Sequence, residues 1–81
     1  MKWVLFAMYM TATGPVDIVD PTLAAQQHRT IGKCSAQLVD IRQKLIASKH
    51  TRYLVCEPIK VEDISAARAE HVRKFQQSVT F

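Results

Sequence analysis

Apolar and polar positions follow two different periods along this chain, and the changes of period mark its elements. The run Trp3-Val4-Leu5-Phe6-Ala7-Met8-Tyr9-Met10 is apolar at every position. A membrane-spanning helix takes about 20 apolar residues, so this run is too short to be one. An unbroken apolar stretch of this length suits a strand covered on both faces. Trp3, Leu5, Ala7 and Tyr9 would lie on one face, and Val4, Phe6, Met8 and Met10 on the other. The alternative is an export leader, since Met1-Lys2 precedes the run as a charged n-region would. Met10-Thr11-Ala12, however, sets a large residue where small-x-small cleavage needs a small one. The expectation is therefore a strand, with a leader ending near Ala12 as the alternative.

Thr11-Ala12-Thr13-Gly14-Pro15 reads as a turn, and Val16-Asp17-Ile18-Val19 as a short edge strand folding back antiparallel. Asp20-Pro21 is a helix start, because Asp accepts from exposed N–H groups and Pro lacks the N–H that would be orphaned. Helical period then runs over residues 22–48, with Leu23, Cys34, Leu38, Ile41 and Leu45 in one sector. A straight helix of that length would span about 40 Å and overhang an eight-residue strand of about 27 Å. Gly32 is the natural break and Thr30 a second N-cap, so a short helix and a main helix ending at Ser48 are predicted. Residues 52–57 read as a strand closed by Pro58.

The last stretch, residues 61–79, is helical in period, with Val61, Ile64, Val72, Phe75 and Val79 in one sector. Arg68 lies inside that stripe. An Arg there lays its methylenes on the core and its guanidinium in water; otherwise the helix docks on something acidic. The elements sum to an α/β domain in ββαβα order. The sheet is predicted to have three strands in the order 2-1-3, the third parallel to the first through a right-handed crossover. Its helices pack on that sheet, and residues 61–79 double as a docking or interface element.

Length confirms the economy of this plan. Eighty-one residues allow one domain, residues 1–81, and a domain this short buries only about 60–65% of its unfolded surface. A staple or a partner would help it fold. Cys34 and Cys56 are the only cysteines, and both are placed to face the same helix-to-sheet interface. Two readings stand. As buried thiols they act as small hydrophobes, the reading that suits a reducing cytoplasm, where the chain is placed in the absence of a convincing leader. As a candidate disulfide they would contribute about 3 kcal/mol. A periplasmic or secreted location would follow if residues 1–12 were a leader.

Charge changes the picture more by position than by sum. The net charge is +4. Residues 22–56 alone carry +5, from Arg29, Lys33, Arg42, Lys44, Lys49 and Arg52 against Asp40, while residues 57–81 balance and residues 1–21 carry −1. Such a basic segment fits an acidic protein surface, a phosphate backbone, or plain solvation. The wheel separates Arg29, Lys33 and Lys44 from Arg42, Lys49 and Arg52, and no aromatic is interleaved to stack on bases. Catalytic patterns are absent: His28, His50 and His71 are scattered singly, there is no Gly-rich phosphate loop, and no local pair of metal ligands.

Met1-Lys2-Trp3 opening an apolar strand, Gly14-Pro15-Val16 at a turn, Cys34 early in a helix, and the late strand Tyr53-Leu54-Val55-Cys56-Glu57-Pro58 together resemble a loose group of short bacterial and phage proteins. The resemblance covers roughly the first 58 residues. Residues 21–29 and those from Lys60 onward stand outside it. It implies no activity. The function expected is a non-enzymatic protein-binding module without cofactor or metal, of the kind a phage or bacterium uses as an inhibitor or accessory subunit. Its partner is another protein with an acidic surface, or a second copy. The alternative is a nucleic-acid-binding accessory protein using the basic middle helix. The candidate binding residues are Arg29, Lys33, Arg42, Lys44, Lys49, Arg52, Arg68 and Phe75.

Overall fold

In a computed structural model, which describes residues 1–47 and 50–78, the opening apolar run is strand β1 (Lys2–Thr11). Val4, Leu5, Phe6, Ala7 and Met8 are all buried. Gly14, with its positive φ of 118°, turns the chain back into β2 (Gly14–Asp17), which pairs antiparallel with the end of β1, Tyr9 opposite Val16. That φ is open to glycine and strained for other residues. The turn is tied by the Thr11 hydroxyl, which donates to the Gly14 carbonyl at 2.7 Å.

The helix predicted from Asp20-Pro21 does not form. Asp20 instead accepts from the Thr22 N–H (2.9 Å) and hydroxyl (2.6 Å), closing an Asx turn that lowers the Asp20 carboxyl below its usual pKa. A single 3-10 turn at Ala24–Gln26 follows, and Leu23 lies exposed rather than in a helical stripe. The chain then forms a two-residue strand, β3 (Gln27–His28), paired antiparallel with Trp3 and Val4. Thr30 caps helix α1 (Ile31–Lys44), its hydroxyl oxygen accepting from the Lys33 N–H at 3.2 Å. The continuation of this helix to Ser48 is not seen, since α1 ends at Lys44 with Leu45 as its cap and Ser48 lies outside the described residues.

Strand β4 (Arg52–Ile59) pairs with β1 along nearly its whole length, from Lys2 opposite Ile59 to Tyr9 opposite Arg52. This pairing is antiparallel, so the expected parallel third strand is corrected, as is the three-stranded sheet. The sheet has four strands. Since β4 occupies one edge of β1 over the residues that β2 and β3 also pair with, those two strands share the other edge, one at each end. The cause of the correction is β3. It carries the chain back past the start of β1 before α1 begins, so α1 returns to the far end and β4 descends. The helical crossover joins β3 to β4, which are parallel to each other with β1 between them.

Alternation along β1 divides the interior in two. Leu5 and Ala7 pack with Cys34 and Ile41 of α1, joined by Trp3, Ile18, Leu38, Leu45, Leu54 and Cys56. Val4 and Phe6 pack on the other face with Ile64 and Ala67 of α2 (Ile64–Ser78), and with Val55 and Ile59. The domain is thus α/β in three layers, with one helix on each face of the sheet. Val61 sits in a 3-10 turn at Val61–Asp63 and is exposed, and Val79 lies outside the described residues. The buried stripe of α2 is Ile64, His71 and Phe75, about 45° around the helix from the predicted one, with which it shares Ile64 and Phe75.

Cys34 and Cys56 are joined as a disulfide, binding α1 to β4 across a separation of 22 residues. Reducing the native protein should lower its unfolding free energy by about 3 kcal/mol, by the chain-entropy account of such a loop. Urea titrations with and without reductant, with intact mass reporting the gain of two hydrogens, measure this. Coincident titrations after confirmed reduction would show that the bridge stabilises nothing.

Candidate partner-binding face

The basic residues singled out in the sequence fall into separate places. Arg29 and Lys33 are exposed around the N-terminal end of α1. Arg42 and Lys44 are in its last turn, about 14–20 Å further along at 1.5 Å per residue. Lys44 is paired with Asp40 at 3.0 Å on the exposed side of the helix. Lys49 lies outside the described residues. Arg68, its side chain still 40% exposed, is paired within the chain: its Nε donates to Asp17 Oδ2 of β2 at 2.6 Å. Phe75 is only 1% exposed, so its candidacy as a contact residue is corrected. The helix folds back, and Phe75 fills the core with Tyr53 against its ring.

What the structure does bring together is Arg42 and Arg52. They meet over Leu54 around an open cleft of about 260 Å³, on the side of β4 that faces α1. The end of α1 explains why. A helix leaves its last carbonyls without intrahelical partners, and an Arg52 guanidinium N–H donates to the Leu45 carbonyl at 2.8 Å. That contact holds Arg52 against the helix end. Arg42 reaches the same cleft from the last turn. Among the described residues Lys44, Arg68 and Arg73 have carboxylate partners, whereas Arg42 and Arg52, like the exposed helix lysines Lys33 and Lys74, do not.

A second cluster, on the opposite face of the sheet, escaped the sequence reading. His71 is 5% exposed and both ring nitrogens are bonded. Nδ1 lies 2.7 Å from the Tyr53 hydroxyl and Nε2 lies 2.6 Å from Glu57 Oε2. With the proton on Nε2 directed at the carboxylate, Nδ1 accepts from the phenol, and every group is satisfied. Phe6 packs on the imidazole with ring centroids 4.5 Å apart. A carboxylate, an imidazole and a hydroxyl in series have the order of a nucleophile relay. Here the hydroxyl is held in its protonated form: burial raises the Tyr53 pKa, and the neighbouring Glu57 charge raises it further. The cleft lies on the other face, so the cluster works as a clamp between α2 and β4. A sequence signal existed, since Tyr53 and Glu57 share a strand face and His71 lies between Ile64 and Phe75 on one helix face.

Among the described residues, no group of His, Cys, Asp and Glu is arranged to hold a metal ion. Among the same residues no helix is long and apolar enough to cross a membrane. No protein-family model, curated protein or solved structure matches this chain.

The clamp has a pH signature. Because the folded phenol has a raised pKa, its stabilisation is complete below about pH 10 and is lost as pH climbs through the folded value. Tyr53→Phe should cost about 1 kcal/mol at neutral pH and flatten the alkaline fall of the melting temperature. Melting curves between about pH 8 and 11 on both proteins test this, and parallel alkaline limbs would remove the clamp from the explanation.

Proposed function

We propose that this chain is a small non-enzymatic protein-binding module that docks an acidic surface of a larger protein through the Arg42–Arg52 cleft. In keeping with the resemblance to short phage and bacterial proteins, its role is that of an inhibitor or accessory subunit. One observation carries the reading. Two arginines line one concave site without a carboxylate between them. Arginine in a cleft is a bidentate carboxylate or phosphate ligand. The Tyr53 clamp faces away from this cleft and offers it no catalytic group. The Cys34–Cys56 bridge supports the periplasmic or secreted alternative over the cytoplasm, because bridges persist in oxidising surroundings.

The second reading is nucleic-acid binding, favoured by the same two arginines. Against it, Tyr53 of β4 is turned to the other face of the sheet, and the aromatic beside Arg52 on the cleft's own face, Tyr9, already has the His50 ring against it, so it is not a bare stacking platform.

Arg42→Glu separates these readings without touching the helix-end contact that Arg52 makes. Quantitative cross-linking in extract of the native source should show the protein partner's capture falling about tenfold, the equivalent of 1.4 kcal/mol. Titration of a fluorescent oligonucleotide should show no binding at low salt. Tight oligonucleotide binding that weakens steeply with salt would instead establish the phosphate-backbone reading.

A further inference from the structure

The bare backbone of β4 lies beside the two arginines. Among the described residues, β4 pairs with β1 and with no other strand. The Met10 N–H donates to the Thr51 carbonyl at 2.9 Å, in continuation of the β1–β4 register. In an antiparallel ladder hydrogen-bonded and non-hydrogen-bonded pairs alternate. Residues 53, 55, 57 and 59 therefore direct their N–H and C=O groups at β1. Arg52, Leu54 and Cys56 direct theirs outward, and Pro58 ends the row of donors. Three consecutive outward residues form a template for an added strand of about six residues, roughly 20 Å long.

Side chains say what kind of strand fits. On the α1 face of β4 the residues are Arg52, Leu54, Cys56 and Pro58, none of them acidic. Arg42 adds a second cation at the same cleft. Glu57 is turned to the other face, where His71 holds it. A second copy of β4 would bring Arg52 to the edge with no carboxylate on that face to meet it. A strand carrying Asp or Glu on this face would complement it.

Resting on the binding-module reading above, we infer that the free edge of β4 takes an extended acidic peptide as an additional strand. The peptide's backbone bonds to Arg52, Leu54 and Cys56, and one of its carboxylates sits between Arg42 and Arg52. Backbone pairing gives the affinity and the arginine cleft selects the acidic side chain.

The probe is a displayed library of random octapeptides with glutamate fixed at a central position, compared with the same library carrying lysine there. Glutamate clones should be enriched and lysine clones not. The best clone, made as a synthetic peptide, should protect the Leu54 and Cys56 amides from hydrogen exchange. Backbone N-methylation at alternate residues should weaken it more than about tenfold, since each methyl removes a ladder donor. Arg42→Ala should lower affinity for the glutamate peptide about tenfold and leave its glutamine version nearly unchanged. Equal enrichment of the two libraries, or binding without protection at Leu54 and Cys56, overturns the added strand. If Arg42→Glu still loses the native partner in that case, the module reading survives and only the edge is lost. If it does not, both fall.

Discussion

The structure turns on one constraint: β1 is apolar on both faces, and a strand of that kind is stable only when each face is covered. Val4 to Met8 supply the inner wall of two separate cores. One helix must therefore lie on each side, and one long helix could not serve both. In a chain of 81 residues that leaves no spare length. Each helix makes a thin interface, and each is fastened by something other than hydrophobic area.

The two fastenings differ in kind. On one face, α1 is tied covalently to β4 through Cys34 and Cys56. A side-chain chain also joins it to the β3 segment, where Gln37 bridges the His28 ring at 2.7 Å and the Gln26 side chain. On the other face α2 straddles β1, with Arg68 bonded to Asp17 of β2 and His71 bonded to Tyr53 and Glu57 of β4. The polar solution costs desolvation of each group and is stable only because every buried side-chain donor and acceptor among the described residues finds a partner. A polar clamp fixes rotation about the helix axis, which apolar packing alone fixes weakly. That is why the stripe of α2 turns toward His71 and not toward Val61 and Val72.

Much of this plan was legible in the sequence, and the rest failed for identifiable reasons. The two-faced strand, the Thr30 cap and the run of Cys34, Leu38, Ile41 and Leu45 follow from periodicity, because local pattern decides them. The direction of β4 does not. It depends on β3, two residues whose strand character comes from pairing with Trp3 and Val4 and not from any propensity of Gln27 or His28. The phase of α2 is not legible in its apolar residues, because the stripe that is buried includes His71. It is buried once two neighbours, distant in sequence, satisfy both its nitrogens. The arginine cleft was half legible: the basic excess of the middle segment was plain. The convergence of Arg42 with Arg52 depends on where α1 stops.

The short connection from α1 to β4 also decides what the surface can offer, because it sets the helix end, its capping guanidinium and the strand edge at one corner. An edge strand left bare is ordinarily a hazard, blunted by proline, charge or a covering element. Here proline closes one end and arginine the other, and α1 covers the face and not the edge. The middle, around Leu54, remains open between two cations. A strand edge protected at its ends and charged beside its centre repels copies of itself while still admitting a strand of opposite charge, which is the condition a selective binding edge has to meet.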